Sequence, residues 1–519
     1  MANKILIITG ESLSPQDIRL FVTNPSAKVK FDNKTKEKVK QSHDFVKKHL
    51  TKELIYGINT GFGPMASHVL GESQLEELQA NLIKSHAVGM GKLLSDNYVL
   101  AAMLVRLNTL AKGYSGVSVE LLEQLAKFIN LRILPVIPEH GAVGTSGDLV
   151  QLAHIALGLI GFGQVSFKGK LYNTAELLRQ LKLNPYRLKP KEGLSLINGT
   201  SMMSAVGSLI TEQAAKLIDL ETRLGAMSLE IVGAYSDSLS PALHAARPHR
   251  GQQFIAAKLR KLLSSSRLLR NRSHATKDIK INGDIQRLPE AIQEVYSLRC
   301  LAQILGPIEE SRAKTAQIIT TEINSATDNP LVDIKGKQFL HGGNFHGDYV
   351  ASAIDQLKTA IVKMTILSER RINYFLNHKI NNRFPPFLNL KRPGLNLGLQ
   401  GLQFVATSTT AKSQSLAYPH HIHSIPTNGD NQDVVSMGTD AVLLAAEVVD
   451  NAAVVLAIEL IALCQAVDYL GITSKLSLPA KELYQLGRKY INVIKEDRPF
   501  GQEAQNLFQA LLENNAFSD

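Results

Sequence analysis

From Ser201 to Gly233, and again from Val295 to Gly306, Asp348 to Leu376, Phe404 to Leu416 and Asp433 to Leu470, apolar residues recur at helical spacing with polar residues between them. The longest of these spans far exceed the roughly 10–14 residues of an average helix. A stripe of that length has to be buried, and long helices bury their stripes by lying side by side. The sequence therefore predicts a mainly α protein: a long-helix bundle over 201–519, and a smaller mixed N-terminal domain over 1–200. Within the latter, Lys36 to Leu54 and Gln74 to Val88 read as helix. Gln164 to Lys170 is the clearest strand-and-turn text, so sheet content should be small.

With 44% hydrophobic and 20% charged residues in 519, the chain has the balance of a soluble globular protein. The most apolar region, Ala441 to Leu470, is interrupted by Glu447, Asp450, Asn451, Glu459 and Asp468, so it reads as a buried bundle helix and no membrane span is expected. Cys300 and Cys464 form neither a disulfide framework nor a metal-ligand spacing; a reducing cytoplasm is the expected compartment, and no metal is expected. The net charge of +11 raises the question of nucleic acid. Its densest stretch, Lys258, Arg260, Lys261, Arg267, Arg270, Arg272, Lys277 and Lys280, is interleaved with leucines and carries no nucleic-acid motif, which favours a solvated amphipathic face. A non-enzymatic basic scaffold is the weak rival.

The stretch Gly141-Ala142-Val143-Gly144-Thr145-Ser146-Gly147 leads into Asp148 and a helix-compatible run to Ile160. Small residues let the backbone bend, and a helix start offers free N–H groups where electron density is stabilised. Taken alone, this describes a Gly-rich turn or an anion cradle. The triplet Thr145-Ser146-Gly147 permits more. In a compressed loop the Gly147 nitrogen can attack the Thr145 carbonyl carbon, since glycine has no side chain to block the approach. Loss of one water closes a five-membered ring, and loss of a second from Ser146 leaves a methylidene conjugated to it.

This loop resembles that of the histidine and aromatic amino-acid ammonia-lyase family, whose prosthetic group is methylidene-imidazolone. The family usually has Ala-Ser-Gly here; Thr145 lends only its carbonyl to the ring and should not prevent cyclisation. The resemblance runs from Tyr56 to about Leu470 and rests on several strings. Tyr56 to Pro64 resembles the family's tyrosine loop, which implies that Tyr56 is the catalytic base and places Gly63 at the substrate; by itself a tyrosine on a permissive loop is a packing anchor. Ser85 and His86 correspond to positions facing the substrate side chain. Asn198, on its own a helix cap, corresponds to an asparagine bound to the prosthetic ring. Gln293 to Cys300 resembles the carboxylate-binding segment, with Arg299 as clamp, Tyr296 near the ring and Gln293 beside the substrate. Gly342 to Gly347 implies Asn344 and Phe345 at the site, and Asn431-Gln432-Asp433 implies Asn431 and Gln432. The strings Arg106 to Leu110 and Gly113 to Gly116 are assigned a structural role beneath the loop.

What the resemblance implies is a lyase with a self-formed cofactor and no dissociable one, assembled as a homotetramer whose sites several subunits share. Histidine ammonia-lyases typically carry Gln-Glu-Asp where this chain has Asn431-Gln432-Asp433, which argues against an imidazole substrate. His86 argues against a bare phenyl ring, because it gains a hydrogen bond from a phenol. Tyrosine, converted to p-coumarate, is the expected substrate; histidine ammonia-lyase, phenylalanine ammonia-lyase and tyrosine aminomutase are the alternatives.

Overall fold

The long stripes form the helices Ser201–Val232, Leu301–Glu322, Asp348–Leu376, Gln400–Ser415 and Gly438–Leu470, and the protein is mainly helical. The structure, a computed structural model, describes residues 5–277, 279, 283, 285–288 and 292–513. Lys280 of the basic stretch lies outside them. Gly438–Leu470 is long and apolar enough to cross a membrane by length and composition, but its Ala, Val and Leu side chains from Ala441 to Val467 are mostly buried, as in a core helix.

Several boundaries shift for tertiary reasons. The helix read over Lys36 to Leu54 spans Asn33–His49. It starts early because Asp32 caps it, and it ends early because Asn59 turns back to donate to the Leu50 and Glu53 carbonyls at 2.9 and 2.8 Å. The helix read from Val295 is broken into Tyr296–Arg299 and Leu301–Glu322, and the second piece runs on through Pro307. The last long helix begins at Gly438 rather than Asp433, since the Met437 N–H is taken by the Val143 carbonyl at 3.2 Å. Strands are short. Ile5–Ile8 pairs in parallel with Lys28–Phe31, Met90–Leu93 pairs with Pro138–His140, and Gln164–Phe167 forms a hairpin with Lys170–Asn173.

Contacts divide the chain into two compact units, each assembled from three segments: 1–212, 314–355 and 419–444 in the first, 213–313, 356–418 and 445–519 in the second. The single cut expected near residue 200 treated the chain as contiguous pieces. Most of these boundaries instead fall inside long helices, where no linker marks them.

In the second unit the basic stretch begins on the amphipathic helix Arg250–Leu262, whose Ile255, Ala256, Leu259 and Leu262 are buried. Four of its charges have partners within the unit: Lys258 with Asp219, Arg260 with the Leu239 carbonyl at 2.9 Å, Arg270 with the Gly233 carbonyl at 2.6 Å, and Arg272 with Asp237 at 2.7 Å.

Candidate active site

The Gly-rich stretch folds into a tight turn in which Gly144 and Gly147 bridge across Thr145 and Ser146. Ser146 has φ +52°, a left-handed conformation that costs a residue with a side chain about 1–2 kcal/mol and persists only when its surroundings impose it. The imposing residue is Gly199. Its N–H donates to the Ser146 carbonyl at 3.0 Å and its carbonyl accepts from the Asp148 N–H at 2.8 Å, so Gly147 is gripped from both sides. A Cβ on Gly147 would collide with the Gly199 carbonyl, which is why the third residue of the triplet has to be glycine.

Behind Gly199 stands Arg106, fully buried, whose Nη2 donates to the Asn198 carbonyl at 2.7 Å and to the Ser195 carbonyl. Burial pushes the guanidinium down to about 10, which Asp328 and Asp148 only partly offset. Asp148, also buried, accepts from the Met202 and Met203 N–H groups at 2.8 and 3.0 Å and from the Thr439 hydroxyl at 2.5 Å. It thereby satisfies the free amides at the start of Ser201–Val232. Burial lifts its carboxyl to about 6 against those hydrogen bonds and Arg106. Nearby, Lys191 and Asp328 form a buried ion pair at 2.7 Å. The Asn198 side chain is buried, and its Oδ1 has no hydrogen-bond partner among the described residues.

The tyrosine loop is built on Asn59 and Gln79. The Gln79 side chain donates to the Gly57 carbonyl at 3.1 Å and accepts from the Leu194 N–H at 2.9 Å, which fastens the loop to the helix Glu192–Ile197 just ahead of Asn198. Tyr56 is half-buried, and its hydroxyl accepts from the Gly63 N–H at 2.9 Å. Gly63 itself lies so close to Asn428 that a Cβ would strike its side-chain amide. This seats the tyrosine loop against the turn Thr427 to Gln432, closed by Thr427 Oγ1 donating to Gln432 Oε1 at 3.2 Å.

Helix Leu75–His86 packs on Leu149–Leu159 and Glu192–Ile197 and carries Ser85 and His86 at its end. His86 Nδ1 lies 2.9 Å from the Leu82 carbonyl. Ser85 Oγ lies 3.0 Å from both that carbonyl and Nδ1; with the hydroxyl donating to the carbonyl, Nδ1 bears the proton, and in the neutral ring Nε2 is left as an acceptor. The segment that follows is held by the Gly89 N–H donating to His154 Nε2 at 3.1 Å. Asn344 is exposed and donates to the Ala326 carbonyl at 3.3 Å, while Phe345 is half-buried beside Gly347, which abuts Met203 and Ser436.

All of these residues belong to the first unit. Of the expected site residues, Gln293, Tyr296 and Arg299 belong to the second. There Gln293 is exposed, Arg299 Nε donates to the Glu294 carbonyl at 3.0 Å, and its guanidinium lies 4.8 Å over the Tyr296 ring. That leaves the planar fork of Arg299 oriented by an aromatic face, an arrangement suited to a carboxylate. Asn431 is exposed on its turn, its N–H donating to the Asn428 carbonyl at 3.4 Å. Sequence reasoning gave no role to Gln79, His154 and Thr439 and treated Arg106 only as support; their signal, polar side chains buried or half-buried inside helices, is visible only once burial is known. Among the described residues no group of three or more His, Cys, Asp or Glu side chains is placed to hold a metal ion.

The family profile described as aromatic amino acid lyase matches residues 13–489. The chain is 38% identical to tyrosine 2,3-aminomutase of Chondromyces crocatus, over 97% of this chain and 95% of that protein. It is 39% identical to histidine ammonia-lyase of Staphylococcus saprophyticus subsp. saprophyticus, over 98% of each. The crystal structure of tyrosine aminomutase from Streptomyces globisporus superimposes with a TM-score of 0.94 at 36% identity, covering 98% of this chain and 96% of that one.

Proposed function

Since the chain belongs to the aromatic amino acid lyase family and is a carbon–nitrogen lyase, we propose that it eliminates ammonia from L-tyrosine to give p-coumarate in the cytoplasm. The cofactor in this reading is a methylidene-imidazolone made from Thr145, Ser146 and Gly147. The residues present fit that group: Gly147 has no room for a side chain, Gly199 grips the peptide on either side of it, and Asn198 Oδ1 is buried without a partner among the described residues. Once formed, the group would supply the electrophile that makes ammonia a better leaving group.

The chain's own residues do the rest. The β-hydrogen of an amino acid is barely acidic, so its removal needs a placed base, and Tyr56 takes that role with its oxygen fixed by the Gly63 N–H. Arg299 holds the carboxylate through its fork. The Gly199 amide meets the Ser146 carbonyl, where electron density accumulates, and Asn198 beside it would hydrogen-bond the ring. The assembly is a homotetramer with shared sites.

The observation that carries tyrosine is the pose of His86. With Nδ1 committed to Leu82, Nε2 accepts the hydrogen bond that a phenol offers and a phenyl ring does not. Gln432, where histidine ammonia-lyases have glutamate, removes the anionic partner of an imidazole. The likeness to the Chondromyces crocatus enzyme favours a second reading, tyrosine 2,3-aminomutase. The test is incubation with tyrosine, phenylalanine and histidine separately, identifying every product. p-Coumarate as the main product is expected. Urocanate as the main product would overturn the tyrosine reading, and β-tyrosine would replace it with the aminomutase.

A further inference from the structure

The Asn198 carbonyl and the Gly199 N–H are two ends of one peptide group. Arg106 Nη2 donates to the first at 2.7 Å, and the second donates to the Ser146 carbonyl at 3.0 Å. Hydrogen bonds joined through a peptide polarise one another, and a cation at the head of such a chain strengthens the donor at its tail. Three further facts make the arrangement specific. The Arg106 side chain is fully buried, and its Nε and Nη1 have no hydrogen-bond partner among the described residues, so no carboxylate closes on the guanidinium. Asp328 is engaged by Lys191 at 2.7 Å, and Asp148 is turned to Met202, Met203 and Thr439. Gly199 has φ +143°, and a Cβ there would strike Arg106 Nη1 and Thr327, so this peptide can approach Arg106 as it does only with glycine at the position.

In the ring of the proposed function, the Ser146 carbonyl is conjugated to the methylidene, so electron density delivered to the methylidene carbon arrives at the Ser146 oxygen. We infer that Arg106 is a positioning residue for that oxygen, acting through the Asn198–Gly199 peptide to aim and strengthen the amide that meets it. The inference rests on the ring-forming reading and extends it to a side chain that touches neither substrate nor ring.

The test uses the full chain and cyanide as a probe nucleophile. Its carbon bonds to the methylidene carbon, the π pair passes to the Ser146 oxygen, a solvent proton completes the adduct, and intact mass reads the gain. In Arg106→Gln we expect a folded chain two waters lighter than its sequence, adduct formation slower by about 10- to 100-fold, and kcat for the amino-acid substrate lowered with KM unchanged. Arg106→Lys keeps a cation but is too short to reach both carbonyls, so its adduct rate should lie between the two, and it carries the test if the Gln variant is insoluble. Wild-type adduct rates in either folded variant overturn the proposal. So does a folded Arg106→Gln chain at full sequence mass, which would place Arg106 in ring formation instead. Wild type at full sequence mass is a different failure: it removes the ring reading itself.

Discussion

Two arginines, Arg106 in the first unit and Arg371 in the second, are both fully buried, and they are used in opposite ways. Arg371 is closed upon by carboxylates: its Nε meets Glu459 at 2.6 Å, its Nη2 meets Glu221 at 2.6 Å and Glu459 at 2.8 Å, and the Ser368 hydroxyl adds a 2.6 Å bond to Glu459. Burial works against its charge, but Glu221 and Glu459 more than offset it and hold the guanidinium above its ordinary range. Burial lifts the Glu221 carboxyl above the usual range too, against the pull of Arg371 and with the push of Glu459. Among the described residues no carboxylate pairs with Arg106, which gives its hydrogen bonds to main-chain carbonyls. A buried charge neutralised on the spot locks helices together. One left open to a peptide acts on whatever that peptide touches.

The largest effect that separates the two is on stability. Arg371→Met leaves two carboxylates buried without their cation and should lower unfolding free energy by about 3–5 kcal/mol in denaturant titrations. Cyanide reactivity of the folded fraction should stay at the wild-type value. Loss of reactivity with stability intact would reverse the comparison.

Next in size is Asp148, a buried acid of the first unit. Its folded value, about 6, lies above its ordinary 3.8, so between the two the folded chain binds a proton that the unfolded chain does not. The stabilisation from that proton is fully present below about pH 4 and is lost as pH rises through about 6. The gap corresponds to at most about 3 kcal/mol. Asp148→Asn should therefore gain on wild type by up to that amount across the window, measured as the difference in denaturant midpoint at successive pH values. A difference that does not vary with pH would mean that Asp148 is ionised throughout, and the contrast between open and closed charge would have to be redrawn.

The smallest effect concerns His86. Replacing it by phenylalanine leaves a substrate phenol unpaired at a cost of about 1–3 kcal/mol. His86→Phe should lower kcat/KM for tyrosine and raise it for phenylalanine. Equal losses on both substrates would show that Nε2 does not read the hydroxyl.

What could be read from the sequence followed from periodicity. Asp348–Leu376 matches its expected bounds, and Ser201–Val232 ends one residue short, because uninterrupted apolar stripes fix both ends. The span expected to end at Gly306 continues through Pro307, although proline ordinarily stops a helix. Here Leu305, Ile308 and Ile319 are buried on the same helix, and that burial outweighs one lost hydrogen bond. Sequence analysis did not single out the strand Ile5–Ile8, four residues long, whose partner Lys28–Phe31 alternates with lysines. At the site, the glycines and the triplet were legible because turns and close approaches leave few choices of residue. Arg106 was not legible as an actor: its partners Ser195 and Asn198 lie about ninety positions away and offer only carbonyls, which every residue has.

Gln79 sets a dimension of the site. One end of its amide meets the tyrosine loop and the other the helix that delivers Asn198, so the separation of those two segments is written in the length of a single side chain. Glutamate has the length but no donor for the Gly57 carbonyl, asparagine has the amide but not the reach, and leucine has neither end. A designer who transplants the tyrosine loop into another scaffold has to carry this spacer with it, because the loop's own residues do not encode how far the loop should stand from its neighbour.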